Sequence, residues 1–249
     1  MKKVVLTFLM IFTLISLSAC NVRTDYTIEE AFGLMNEAIA NYLAADSVLM
    51  TFDGTYVSDN YNTVDHLEVR MRHIGDADFF SRVTMSVSEN DSPMTASYYY
   101  SEGMIYAMRT QNNQTEQIKY VYSASEYLAL YTSFLKKTIE YDGTRARQIL
   151  MDRKQIEVSF EYAFSKVEST FFVNSVIEAG AVNFATVRVI FSQSLQILSF
   201  DVSYDARISG VIGTQSYTVV IDTMNRYIVI PEISGKADYE EVDPNAETN

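Results

Sequence analysis

Tyr98-Tyr99-Tyr100-Ser101-Glu102-Gly103-Met104-Ile105-Tyr106-Ala107-Met108 lies near the middle of the 249-residue chain, and its reading decides the fold. Two runs rich in aromatic and aliphatic residues flank a short polar turn, and Gly103 supplies the backbone freedom that a tight reversal needs. That is a hairpin signal. The polar loop Thr110 to Glu116 then leads into one more strand, Gln117 to Tyr122.

Upstream the same period of two recurs. Met50, Phe52 and Tyr56 alternate with Thr51, Asp53 and Thr55. Leu67, Val69 and Met71 alternate with His66, Glu68, Arg70 and Arg72; Val83, Met85 and Val87 alternate with Arg82, Thr84, Ser86 and Ser88. Alternation gives each strand one apolar and one wetter face. Turn formers punctuate the runs at Ser58-Asp59-Asn60, Gly75-Asp76-Ala77-Asp78 and Glu89-Asn90-Asp91-Ser92-Pro93. Strands joined so closely form an antiparallel meander. Downstream, Ile156, Val158, Phe160 and Tyr162 mark a strand. After Asn183, strands are marked by Val187/Val189/Phe191, Leu198/Phe200/Val202/Tyr204 and Tyr217/Val219/Ile221. Ile228 and Ile230 mark a last edge closed by Pro231.

Capping boxes stand at Thr27-x-x-Glu30, Ser123-x-x-Glu126 and Ser165-x-x-Glu168. The first opens a helix over Thr27 to Ala45, with Ile28, Phe32, Met35, Ile39 and Tyr42/Leu43 on one face. The second leads through Leu128, Tyr131, Phe134, Leu135 and Ile139. The third leads through Phe171, Phe172, Val176 and Ile177 to Gly180, although Thr170 to Val173 also suits a strand. The expected class is α+β: a strongly curved antiparallel sheet, an incomplete β-barrel, covered on its concave side by about three helices. With no glycine-rich linker, residues 27–235 read as one domain. A tether, 20–26, precedes it, and an acidic tail, 236–249, is expected to be disordered.

The beginning of the chain carries different information. Met1-Lys2-Lys3 is a short positive segment, and Val4 to Leu17 is a 14-residue apolar run, short of the roughly 20 residues a spanning helix needs. This fits a cleaved signal peptide, residues 1–19. Leu17-Ser18-Ala19-Cys20 ends it, and Cys20 is the one cysteine present. The tetrad resembles the bacterial lipobox, which implies cleavage between Ala19 and Cys20 and a diacylglyceryl group on the Cys20 thiol. A plain signal or an uncleaved anchor is the alternative. Two or more acyl chains give stable anchoring, so the membrane is an expected partner through Cys20. The expected address is the outer face of the bacterial cytoplasmic membrane, or an outer membrane where one exists.

Charge narrows the choice. Without Lys2 and Lys3 the formal charge of −13 becomes −15. Such acidity excludes nucleic acid as a partner and keeps the body off anionic lipid. His66 and His73 are the two histidines; with so few ligands no metal site is expected. No phosphate-binding or dinucleotide glycine motif and no G-x-S-x-G elbow occurs. Glu157/Glu161 and Asp201/Asp205 sit at the polar positions of alternating strands, where solvated acids belong. No catalytic residue and no cofactor is expected, and the chain reads as a non-enzyme.

The order of elements behind a lipobox resembles the outer-membrane lipoprotein carrier and mycobacterial lipoprotein folds, half-open β-barrels with an apolar cavity between sheet and helices. Tyr98 to Tyr106 looks like the Y-Y-x-D/N-G-x-x-Y hairpin of uncharacterised Gram-positive lipoproteins of that type, with Glu102 in place of Asp or Asn. Asn225-Arg226-Tyr227-Ile228-Val229-Ile230-Pro231-Glu232 resembles their closing strand. The resemblance implies binding of a lipid or other apolar ligand. Tyr98, Tyr100, Met104, Tyr106, Met108, Tyr120 and Tyr122 are the candidate cavity wall, since Met adapts its shape and Tyr adds a polar tip to an apolar body. Ordinary packing of sheet on helices is the competing account of that stripe. Alternatives for the whole chain are a module that docks on another exported envelope protein and, more weakly, an envelope hydrolase.

Overall fold

A sheet of twelve strands organises the chain. The computed structural model describes residues 25–59, 62–90, 92–131, 134–173, 183–208 and 211–242. The first meander is β1 (Val48–Ser58), β2 (Asn62–Arg72), β3 (Phe80–Glu89), β4 (Ser92–Ser101), β5 (Met104–Gln111) and β6 (Gln114–Val121). The second is β7 (Thr144–Met151), β8 (Gln155–Ala163), β9 (Phe184–Ser192), β10 (Ile197–Ile208) and β11 (Val211–Met224). The halves join where β1 pairs antiparallel with β11, Phe52 opposite Val219. A two-residue strand, β12 (Glu240–Glu241), adds in parallel beside Ile118 and Lys119 of β6. The hairpin at Glu102-Gly103 forms as expected, both residues having positive φ, 54° and 78°, the geometry whose twist matches the flanking strands.

Alternation fixes the faces. Met50, Phe52, Val69, Val83, Tyr100, Ile105, Phe160, Val187, Phe200 and Val219 all point inward and belong to one continuous core. The helices on this side are α1 (Ile28–Leu43), α2 (Ala124–Tyr131) and α3 (Phe164–Thr170). α1 opens on the Thr27 capping box, with Thr27 Oγ1 accepting from Glu30 N at 3.2 Å and Glu30 Oε2 accepting from Thr27 N at 2.8 Å. It buries Phe32, Met35, Ile39 and Tyr42 and packs across β7 to β10.

The expected α+β class with a helix-covered sheet is therefore corrected. The protein is mostly β, its sheet does not close, and the described helices are only 16, 8 and 7 residues long. Capping boxes announce a start but say nothing of length. The helix from Ser123 ends by Tyr131, and Phe134, Leu135 and Ile139 are buried in non-helical chain. The third helix begins at Phe164, one residue before the expected cap, with no side-chain cap bond, and ends at Thr170. Phe171 instead bridges Leu135 as a strand-like pair, in keeping with the extended bias of Thr170 to Val173. Val176, Ile177 and Gly180 lie outside the described residues.

The last edge also differs. Residues 225–235 form no strand but run across the outer face of the sheet. Arg70 Nη1 donates to Val229 O at 3.1 Å and Arg82 Nη1 to Pro231 O at 3.3 Å. Pro231 lacks the N–H a ladder would need. Of the segment expected to be a disordered tail, 236–249, the described residues are 236–242. Lys236–Asp238 make a 3-10 turn, Tyr239 is buried, and Val242 N donates to Lys119 O at 2.9 Å. An aromatic and a strand edge to pair with outweigh the local acidity.

Asp65 is the odd inward residue, opposite Gly54 and Val87. Burial raises its carboxyl above the usual carboxylate range. A raised folded-state value means that protonation favours the fold. The penalty is absent below the unfolded value of about 3.9 and grows as pH rises through the raised value. Asp65→Asn is expected to raise the melting temperature at pH 7 and to flatten its decline between about pH 4 and 7. Thermal scans across that range check it, and identical pH profiles for the two chains would refute it.

Candidate functional site

The best-formed apolar recess lies where α1 ends, β1 begins and β2 ends. Val48 of β1 faces Met71 of β2 in the ladder. Tyr42, Leu43 and Ala45 come from the end of α1 and beyond it, Ile74 from the turn after β2, Leu128 and Ala129 from α2, and Leu135 and Lys136 from the segment after α2. Together they enclose a cavity of about 440 Å³, within the roughly 300–1,000 Å³ of sites that take small molecules. The floor is fixed, since Tyr42, Ala45, Val48, Met71 and Leu135 are buried. The Tyr42 hydroxyl donates to Met50 Sδ at 3.6 Å, and burial pushes its phenol well above the ordinary value. The Tyr42 phenol thus stays neutral at any physiological pH.

One cation stands in this lining. Lys136 is exposed, its backbone held by Lys136 N donating to Thr170 O at 2.7 Å, and its Nζ reaches Glu168 O at 3.1 Å. An aliphatic cavity with one ammonium group in its lining suits an amphiphile whose polar end is anionic.

The expected cavity wall is not this one. Register divides it between the two faces of the sheet. Tyr98, Tyr100, Tyr120 and Tyr122 lie on the core side, where Tyr100 is buried and the other three pack partly buried against the core. Met104, Tyr106 and Met108 lie on the outer side, opposite Ser101, Tyr99 and Ser97. Tyr106 is covered by the C-terminal segment: Tyr239 meets its ring edge-on at 5.6 Å, and Lys236 Nζ lies 5.5 Å from its centre. Met108 borders a shallower depression of about 360 Å³ with His66, Arg82, Thr84 and Ser97. None of these candidate residues is among those lining the apolar cavity. A stripe by composition became two packing surfaces because adjacent strand residues alternate faces.

Three of the four paired acids make ordinary outer-face ion pairs, and the fourth, Asp205, accepts from Thr214 Oγ1 at 3.3 Å. Arg188 bridges Glu157 at 2.7 Å and Asp201 at 3.3 Å, and Arg145 pairs with Glu161. His66 Nδ1 contacts Asp53 Oδ1 at 2.6 Å on the same face. His73 is different: its ring lies with the carboxylates of Asp46 and Asp76, their ligand atoms all within 4.8 Å of one another. Cys20 and Ala19 lie outside the described residues.

No known family model matches the chain, and no curated protein matches it in sequence. Solved structures similar in the course of the chain include the following two. The crystal structure of LprF from Mycobacterium bovis superposes with a TM-score of 0.44 at 8% identity, covering 82% of this chain and 97% of that one. The crystal structure of Rv2717c from M. tuberculosis does so with a TM-score of 0.27 at 10% identity, covering 74% and 98%. Likeness at these scores carries no argument about ligand or activity.

Proposed function

We propose that the chain is an exported, non-enzymatic lipoprotein, tethered through a lipid on Cys20, that takes the apolar part of a lipid or other amphiphile into the cavity between α1, α2 and the β1–β2 end of the sheet. The observation that carries this reading is the cavity of about 440 Å³ whose lining is aliphatic apart from Tyr42 and Lys136. Each methylene taken from water into such a lining contributes about 0.8 kcal/mol, so a medium-length acyl chain gains enough to be held. The ammonium of Lys136 is placed to meet a carboxylate or phosphate headgroup. The acidity of the body keeps the domain from lying on the membrane that anchors it.

The test is titration of a fluorescent fatty acid into the chain released without residues 1–20, with organic extraction and mass spectrometry of the same preparation. Ala129→Trp fills the cavity from an exposed position of α2. It is expected to cut uptake at least about tenfold, a loss of about 1.4 kcal/mol, with no change in melting temperature. An extract free of lipid, combined with uptake equal in wild type and Ala129→Trp, would end this reading.

A further inference from the structure

The two connections at the rim of the cavity bring together a constellation of a different chemistry. Val48 opposes Met71 in the β1–β2 ladder, and continuing that antiparallel register two residues past this pair sets Asp46 opposite His73. The pairing is held by Ile74 N donating to Asp46 O at 2.9 Å. The turn that follows brings back Asp76, whose N–H donates to His73 O at 3.0 Å. His73 has φ 55° and Gly75 φ 94°, the left-handed conformations that fold the chain over on itself. Three ligand atoms of suitable type, two carboxylate and one imidazole, therefore converge within 4.8 Å.

Their setting differs from that of the acids ion-paired to arginine on the outer face. Asp53, Glu68, Glu157, Glu161 and Asp201 each have a cation or a histidine against them. Asp46 and Asp76 have no ion pair among the described residues. Asp78 Oδ2 adds a further carboxylate 3.9 Å from His73 Nδ1. The neighbouring Arg72 guanidinium lies 3.4 Å from His73 Nε2 and is also drawn over the Tyr227 ring, 4.4 Å from its centre.

We propose that Asp46, His73 and Asp76 bind a divalent first-row transition-metal cation, which clamps the α1–β1 connection to the β2–β3 turn. The mixed imidazole and carboxylate set favours zinc and its neighbours over calcium, which takes oxygen ligands alone. An ion that holds such ligands tetrahedrally at about 2.0–2.2 Å sets them roughly 3.3–3.6 Å apart, so rotations of two exposed aspartates by about an ångström or more close the site. The ion neutralises both carboxylates, and the remaining coordination positions are left to water or an anionic group. Ala45 and Ile74, adjacent to the ligands in sequence, line the apolar cavity, so the clamp stiffens one rim of it. This inference stands on the ligands alone and does not rest on the cavity being filled.

The experiment uses the full chain in detergent, stripped with a chelator and dialysed against zinc alone, with bound metal counted by elemental analysis and stability followed by melting temperature. About one zinc per chain is expected, together with a zinc-dependent rise in melting temperature. His73→Ala and Asp76→Asn are each expected to weaken binding at least about tenfold and to lose that rise, while melting unchanged without metal. His66→Ala, on a different part of the sheet, is expected to bind as wild type. The proposal is overturned by negligible zinc in the wild type, by retention in both site variants, or by equal losses in His66→Ala.

Discussion

Phe52→Ala is expected to cost about 3–5 kcal/mol of folding stability, the largest effect of any single truncation considered. Phe52 sits in β1, the strand that joins the two meanders. Its ring stacks on Phe134 at 4.8 Å and on Tyr217 at 5.3 Å, and meets Phe172 edge-on at 6.2 Å. It also lies back over Gly54, where an added Cβ would come within 2.7 Å of the ring. The glycine thus makes room for the aromatic, and the aromatic covers backbone the glycine leaves bare. Losing the ring opens a cavity bordered by both halves of the sheet and by the segment after α2, and such a site collapses poorly. Domains of this kind carry about 5–15 kcal/mol in total, so about a fifth or more of it goes. Denaturant titration measures this directly, and a loss under about 1 kcal/mol would show that the ring cluster packs loosely.

Tyr127→Ala is expected to act locally and to strike function. The eight residues of α2 are too few to hold a helix unaided, which takes about 12–15. Tyr127 supplies what is missing. It is fully buried, stacks on Tyr100 at 4.7 Å, lies 6.1 Å from Phe79, and its hydroxyl donates to Ser81 Oγ at 3.3 Å. Without it α2 should detach from the sheet, taking Leu128 and Ala129 out of the cavity wall. Fatty-acid uptake is expected to fall at least about tenfold, while amide exchange over 124–131 rises to the rate of a locally open segment. Tyr127→Phe keeps the stacking and loses one hydrogen bond, about 1 kcal/mol, so it should bind almost as wild type. Full uptake by Tyr127→Ala would mean that α2 is no part of the site.

How legible this was in the sequence can be argued strand by strand. β2, β3 and β8 alternate without interruption, and their inward residues were readable as they stand; β10 does so from Phe200 on, after an irregularity that buries Ile197 in place of the expected Leu198. β7 was not, because its register shifts between Arg145 and Gln148, with Ala146 at φ 50°. A bulge destroys the period that announces a strand. The tyrosine-rich hairpin was readable as a hairpin but misleading as a cavity, since composition does not tell which residues share a face until the register is known. The apolar cavity left no motif because it is assembled from the ends of elements. Asp46 and His73 were legible in principle. Once β1 and β2 are paired with Val48 against Met71, the two follow as the next residues of the same face beyond the ladder. What concealed them was distance along the chain, and the custom of seeking metal ligands within one motif.

An unclosed sheet has two borders, and each is a template on which another copy of the chain could assemble. Here they are blunted in unlike ways. At β6 the chain folds back on itself, and Glu240 and Glu241 occupy the hydrogen bonds beside Ile118 and Lys119, presenting acids where a newcomer would have to dock. At β7 the bulge twists the border, and Arg145 and Arg147 are held by Glu161, Tyr141 and Thr144. Proteins confined to a surface meet one another far more often than proteins free in solution. On the proposed membrane tether that frequency matters, and the return of residues 240–242 to the sheet serves colloidal behaviour as much as folding: it sets two acids on the β6 border, where a neighbouring chain would pair to extend the sheet.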